Sequence, residues 1–350
     1  CNAAVTVVAP STGDNCAVAS VVNDFNGTAD ASGTYNVGTT TVVWTVTDVH
    51  GNSNTCTQLI TVTDNEIPSI TCPGDITLNA DPGACGAVFT YSISSSDNCP
   101  GQSVVQTGGL ASGSLFPVGT TTNTFVVTDA AGNSATCSFH VTVNDNQAPT
   151  ISCPFAPYGA TRPADAGICA AYVVVPAPVV NDNCGIDHYV NDFTGTSNAT
   201  GVYPVGTTVI TWTVVDVNGN SSQCLDYIHV EDTQNPVVIT NNLTVYLNQS
   251  GFVTIMPEDV DSASYDNCSI TAMTLAPQYT FTCANVGLNT VILTVTDGSG
   301  HQASGTALVN VIDSIEPTIT CPSNIITDNN FGACGATVTY NVNAWDNCTA

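Results

Sequence analysis

Two residue types in this 350-residue sequence recur at fixed intervals where they could do chemistry: carboxylates and cysteines. The triplet Asp-Asn-Cys ends at Cys16, Cys99, Cys184, Cys268 and Cys348, at spacings of 83, 85, 84 and 80 residues. Its acids are Asp14, Asp97, Asp182, Asp266 and Asp346. In the same phase runs a β-rich segment that ends in Asp48, Asp129, Asp216 or Asp297 and leads into a Gly turn. A third marker is a short acidic segment that closes on proline. It places Asp64 and Glu66 before Pro68, Asp145 before Pro149, Glu231 and Asp232 before Pro236, and Asp313 and Glu316 before Pro317. Of the 28 acids, 16 fall at these three markers, so the repeat patterns the charge.

Grouped carboxylates repel one another, and a hard cation that takes six to eight oxygens would neutralise them. Convergence of the three markers at one pole of each repeat would create calcium sites at the junctions. The candidate ligand sets are Asp64, Glu66, Asp97 and Asp129; Asp145, Asp182 and Asp216; and Asp232, Asp266 and Asp297. For any one residue alone the simpler expectation is local: the hairpin Asp caps its turn, and the Asp of Asp-Asn-Cys makes an Asx-turn.

The cysteines follow the same phase. A full repeat carries four, as in Cys72, Cys85, Cys99 and Cys137, and again in Cys153, Cys169, Cys184 and Cys224. Four cysteines allow three pairings, and spacing alone does not choose among them. One repeat keeps only Cys268 and gains Cys283, which makes a Cys268–Cys283 bridge the expected pair. Cys16 and Cys56 at one end, and Cys321 and Cys334 at the other, are expected to be bridged as well. Structural zinc would need Cys-x-x-Cys spacings, which never occur. A repeat of some 80 residues buries little apolar surface, so bridges would add stability.

Composition narrows the function classes. There is one base, Arg162, against 28 acids, for a formal charge of −27. Nucleic-acid binding and docking on anionic lipid both need clustered bases and are excluded. At 43% hydrophobic residues the chain is not a disordered acidic tail. No apolar run is long enough to span a bilayer, and no secretory leader is visible. His50, His140, His188, His229 and His301 fall at different places in the repeat, with no triad or metal-protease spacing. Neither an enzyme nor a bound organic cofactor is expected.

The elements that must position these residues are strands. In the segment before each hairpin, Trp44, Phe125, Trp212 and Leu293 stand four residues ahead of the closing Asp, and Val46, Val127, Val214 and Val295 two ahead. Side chains two apart share a face, so these form the core-facing row. About seven short strands per repeat, with no helical periodicity, predict an all-β chain of tandem immunoglobulin-like β-sandwich repeats, an elongated beads-on-a-string array. A single β-helix is disfavoured because the period is too long for a solenoid coil. The repeats are expected at 1–63 (partial), 64–144, 145–231, 232–312 (divergent) and 313–350 (partial). Because the sequence starts and stops inside a repeat, it is expected to belong to something longer.

The order Ile-Thr-Cys-Pro (70–73), Gly-Ala-Cys-Gly-Ala-Val (83–88), Asp-Asn-Cys (97–99), Phe-Pro-Val-Gly-Thr-Thr (116–121) and Thr-Asp-Ala-Ala-Gly-Asn (128–133) resembles the hyalin repeat, or HYR, family. The four-cysteine form is similar to the bacterial version in very long Bacteroidota surface proteins, including gliding-motility adhesins. That resemblance implies an extracellular, cell-surface stalk or adhesive region, type IX secretion, and contact with export and gliding machinery. It leaves open binding to surface glycans or proteins, and an accessory role beside a secreted glycosidase. Residues 232–312 depart from the pattern by lacking the first, second and fourth cysteines.

Overall fold

A computed structural model describes residues 1–348. By contact density the chain falls into two compact units. The first comprises Cys1–Thr150 with the loops Asn181–Asp187 and Val215–Ser221, and the second comprises Ile151–Val180, His188–Val214 and the chain from Ser222 onward. Both are built from β-sandwiches, and the longest α-helix among the described residues is the single turn Pro257–Val260.

In the first unit, a three-stranded sheet of Val18–Asn23, Gly38–Asp48 and Ser53–Val62 shares its core with the antiparallel pair Asn2–Val5 and Gly33–Asn36. A four-stranded sheet follows, in the order Ser103–Gly108, Gly119–Thr128, Ser134–Asn144, Ile76–Asn79, with the last strand parallel to its neighbour. Its core partners are the pairs Gly86–Val88 with Leu115–Pro117 and Ser69–Thr71 with Ser94–Ser96. The second unit repeats the plan. One four-stranded sheet runs Ala160–Pro163, Ser221–Glu231, Gly206–Asp216, Ile186–Asn191, and another runs Leu243–Tyr246, Gln302–Ile312, Gly287–Asp297, Ile270–Ala276.

The alternation of strand side chains explains the burial. Within Gly206–Asp216, Ile210, Trp212 and Val214 are fully buried, while Val209, next to Ile210 and on the opposite face, is 48% exposed. Seven of the eight core-row residues are buried as expected, and Val46 is only half-buried. A tyrosine pins each of two sandwiches. Tyr35 donates its hydroxyl to the Ala31 carbonyl at 2.6 Å, and Tyr203 donates to that of Ala199. Each ring stacks on a phenylalanine, Phe25 or Phe193, at 4.3 Å. Burial, with the nearby charge of Asp226, pushes the Tyr203 phenol up to about 12, so it stays a donor at every physiological pH.

The disulfides overturn the expected pairing. Within a repeat, only the first and fourth cysteines join, as Cys72–Cys137 and Cys153–Cys224. The second cysteine of one repeat instead bridges the Asp-Asn-Cys cysteine of the next, as Cys1–Cys99, Cys85–Cys184 and Cys169–Cys268, at sequence separations of 98, 99 and 99. Cys268 therefore does not pair with Cys283, which bridges forward to Cys348. The physical reason is position. The Asp-Asn-Cys loop sits at the pole that meets the preceding repeat, where its Cα lies 4.5 to 4.8 Å from the partner's. Cys16, Cys56, Cys321 and Cys334, also expected in bridges, are exposed free thiols. The pairing rule gives them no counterpart within the 350 residues.

Residues 232–312 show how the pattern tolerates lost cysteines. Leu293 faces Gly305 in the register where Phe125 faces Cys137, and Thr240 stands four residues after the linker proline, as Cys72 does. A Cβ on Gly305 would lie 2.9 Å from Val238 and 3.1 Å from the Thr240 methyl, so apolar packing fills the place of the inner bridge. The outer bridge is kept by a swap across a strand pair. Phe252 pairs with Thr282 as Gly86 pairs with Pro117, so Gly251 occupies the place of Cys85 and Cys283 sits opposite it. A Cβ on Gly251 would come within 3.0 Å of the Cys283 sulfur and 2.5 Å of the Asn347 carbonyl. The swap thus requires glycine there, at a φ of +75° that also favours it.

Two outcomes follow from this packing. Tyr203→Phe removes one buried hydroxyl donor and is expected to cost about 1 kcal/mol, read as a lowered urea midpoint with unchanged slope. Digestion with an Asp-specific protease and mass mapping without reductant should recover a Cys85 peptide joined to a Cys184 peptide. A Cys85–Cys99 or Cys268–Cys283 pair would contradict the pairing.

Candidate metal centre

Each junction cluster is assembled from three local structures. The first is the acidic linker, whose Asp folds back on itself: Asp145 Oδ1 accepts the Gln147 amide at 3.1 Å, and Asp232 Oδ1 that of Gln234 at 3.1 Å. The glutamine then grips the preceding repeat. Gln147 takes the Gly83 amide on its Oε1 and donates to the Asp81 carbonyl, both at 3.0 Å, and Gln234 does the same with Gly167 and Asp165.

The second is the closing hairpin. Asp129 accepts the backbone and side-chain amides of Asn133 at 2.7 and 2.8 Å, and Asp216 does the same with Asn220 at 2.8 Å each. Desolvation pushes the pKa of these two carboxyls up, but the hydrogen bonds from Asn133 and Asn220 outweigh it and hold both below the usual carboxylate range. They are ionised at neutral pH. The same asparagine donates to the linker carbonyl, Asn133 to Asp64 O at 3.1 Å and Asn220 to Asp145 O at 3.2 Å.

The third is the Asp-Asn-Cys loop. One oxygen of its Asp accepts the cysteine amide, as Asp97 does from Cys99 and Asp182 from Cys184, both at 2.9 Å. Its asparagine spans the junction. Asn183 donates to the Ala84 carbonyl at 3.0 Å and to Asp145 Oδ1 at 3.3 Å, and Asn267 donates to Ile168 O and Asp232 Oδ1 at 3.3 and 3.2 Å. Asn347 likewise reaches Asn248 O and Asp313 Oδ1. These asparagines were not singled out from the sequence as site residues, although their recurrence in every Asp-Asn-Cys was visible.

The carboxylates are brought together as the phase of the markers suggests. One oxygen from each of Asp64, Asp97 and Asp129, and one from each of Asp145, Asp182 and Asp216, lie within 4.8 Å of one another. Oxygens bound to Ca2+ at 2.3–2.6 Å stand no more than about 5 Å apart, so both trios fit one ion. At the third cluster Asp232 meets Asp297 and His301, and separately meets Asp266 beside Cys268. His301 takes the place of Asn133 and Asn220, with its Nδ1 3.0 Å from Asp297 Oδ2. Glu66 is exposed and belongs to none of these groups.

Both local expectations hold at once: the hairpin acids cap their turns, and the loop acids make their turns. What these bonds leave over is informative. Asp97 Oδ1, Asp145 Oδ2 and Asp266 Oδ1 are buried without a hydrogen-bond partner. Asp145 is 7% exposed and, among the described residues, no ion pair to it is found, so its buried, unpartnered Oδ2 lies close to other carboxylates without a counter-charge. Such an arrangement is costly unless a cation completes it.

Residues 63–143 and 144–230 each match the HYR domain. The chain is 30% identical to hyalin of Lytechinus variegatus over 344 residues, covering 95% of this chain and 63% of that protein. It is 28% identical to hyalin of Strongylocentrotus purpuratus over 346 residues, or 95% of this chain and 28% of that protein. It thus spans less than two thirds of either curated relative. Among solved structures it is similar to a protocadherin GammaB4 extracellular domain, with 15% identity and a TM-score of 0.33, over 89% of this chain and 62% of that one. Likeness at that score carries no argument about what the chain binds. What these comparisons show is that residues 63–230 are two repeats matching the HYR domain and that the chain is similar to hyalins along most of its length.

Proposed function

We propose that these repeats are a spacer and adhesive region of an extracellular protein, made rigid at each junction by a divalent cation of calcium's class, and that they carry no catalysis. The observation that carries the cation is Asp145, whose buried Oδ2 has no partner while two further carboxylates lie within 4.8 Å. Asp145 comes from the linker, and Asp182 and Asp216 from the repeat that follows it. An ion held by all three fixes the linker to that repeat, and the Gln147 clasp fixes the linker to the repeat before. Flexible oxygen coordination suits calcium, whereas Mg2+ demands tighter octahedral geometry at about 2.0–2.1 Å. Six disulfides support an oxidising, extracellular setting.

The finer reading places the region in a very long Bacteroidota surface protein used for attachment or gliding and exported by the type IX route. The order of cysteines within the repeat supports it. Immunogold labelling of intact cells that make the protein should decorate their surface, and label confined to the cell interior would contradict it.

The cation is tested on the full chain by melting in calcium, in magnesium and in chelator. Calcium at a hundredfold excess over its Kd should stabilise each site by about 2.7 kcal/mol, a shift absent in chelator and smaller in magnesium. Asp145→Asn should abolish binding at its own junction and leave the other sites, read as one fewer ion by titration calorimetry. Identical melting in all three conditions, with no heat of binding, would overturn the cation.

A further inference from the structure

The inter-repeat bridges do more than staple neighbours. Each connects a residue early in one repeat to a residue early in the next, and successive loops overlap, with Cys85 preceding Cys99 and Cys169 preceding Cys184. A covalent route therefore runs along the molecule that skips most of the backbone. It passes from Cys1 across to Cys99, back to Cys85, across to Cys184, back to Cys169, across to Cys268, on to Cys283, and across to Cys348.

We infer that this route is a load path, which lets the chain bear tension between its ends without its sandwiches unfolding. Tension follows the shortest covalent connection once slack is taken up. Along this route the backbone amounts to roughly 45 residues, which at full extension reach about 15 nm, against about 120 nm for the same span with every bridge open. The long hairpins lie off the path. Gly119–Thr128 with Ser134–Asn144 falls between Cys99 and Cys184, and Gly206–Asp216 with Ser221–Glu231 falls between Cys184 and Cys268. Gly287–Asp297 with Gln302–Ile312 falls between Cys283 and Cys348. These strands carry Phe125, Phe139, Trp212, Ile228, Leu293 and Val309 and the hairpin carboxylates, so pulling on the ends does not strip the long hairpins, although Ala87, Val173 and Phe281 of the same cores lie on the path.

The divergent repeat is the most telling case. It has lost the bridge inside its own sandwich, yet it keeps the one that continues the path, by moving the cysteine across a strand pair from position 251 to position 283. A cysteine pattern serving only the stability of single repeats would have kept the inner bridge. The inference deepens the spacer reading, but it requires no cation and no ligand, so either can fail without the other.

The test is single-molecule stretching of the full chain, held at its two ends, in chelator. In the oxidised protein, thiol titration after denaturation should count four free cysteines, matching Cys16, Cys56, Cys321 and Cys334. Its stretching should then stop near the short contour length of about 15 nm, with no step the size of a repeat. Reductant should release steps of roughly 25 nm, as expected for about 80 residues. The pair Cys85→Ser with Cys184→Ser should lengthen the oxidised path by about 30 residues, because the route must then use Cys72–Cys137, a gain of roughly 10 nm. Steps of repeat size in oxidised protein with four free thiols would overturn the load path. So would sixteen free thiols after expression in an oxidising compartment.

Discussion

The bridge from the second cysteine of one repeat to the Asp-Asn-Cys cysteine of the next is the interaction on which the rest of the structure depends. It fixes the loop that carries Asp97, Asp182 or Asp266 against the preceding repeat, with Cα atoms of the bridged pair under 5 Å apart. Once the loop is fixed, its asparagine reaches back to a carbonyl of that repeat and to the linker Asp. The linker glutamine clasps the turn that carries the other half of the bridge. A covalent closure spanning about 100 residues is worth about 4 to 5 kcal/mol in the chain-entropy account, far more than any one of these hydrogen bonds.

This arrangement explains why acids accumulate where they do. A carboxylate trio is unfavourable in isolation, and nothing in the cores of the sandwiches needs it. The trio forms because three separate local motifs, each satisfied by its own backbone amides, are delivered to one pole. Asp129 and Asp216 are held ionised by asparagine, and Asp97, Asp145 and Asp266 each keep one buried oxygen without a partner. Local turn chemistry and ion binding are therefore not rivals here. On the proposed reading, the turns supply the geometry and the remaining oxygens would supply the ligands.

The fold was largely legible because strand periodicity acts locally. Trp44, Phe125, Trp212 and Leu293 lie inside since alternate side chains share a face whatever the neighbouring repeat does. The gathering of Asp64, Asp97 and Asp129 was legible for a related reason: markers in one phase are carried to one pole by a shared topology. Disulfide pairing was not legible. Counting cysteines within a repeat assumes that each repeat closes on itself, and a separation of 99 residues gives no local signal. Cys283 was harder still, since its equivalence to Cys85 appears only when the register of Phe252 with Thr282 is known. Glu66 shares the linker marker with Asp64, but only Asp64 joins the cluster, and His301, at a position where the other repeats carry asparagine, has no recurrence to single it out.

The central claim is that neighbouring repeats are joined covalently outside the main chain, and it can be tested by cutting that chain. A specific protease site placed in the linker at Asn146 leaves Cys85–Cys184 as the sole covalent connection between the two fragments among the described residues. After cleavage and denaturation without reductant, the account predicts a single species of full mass that separates into two on reduction. Two fragments released without reductant would contradict it.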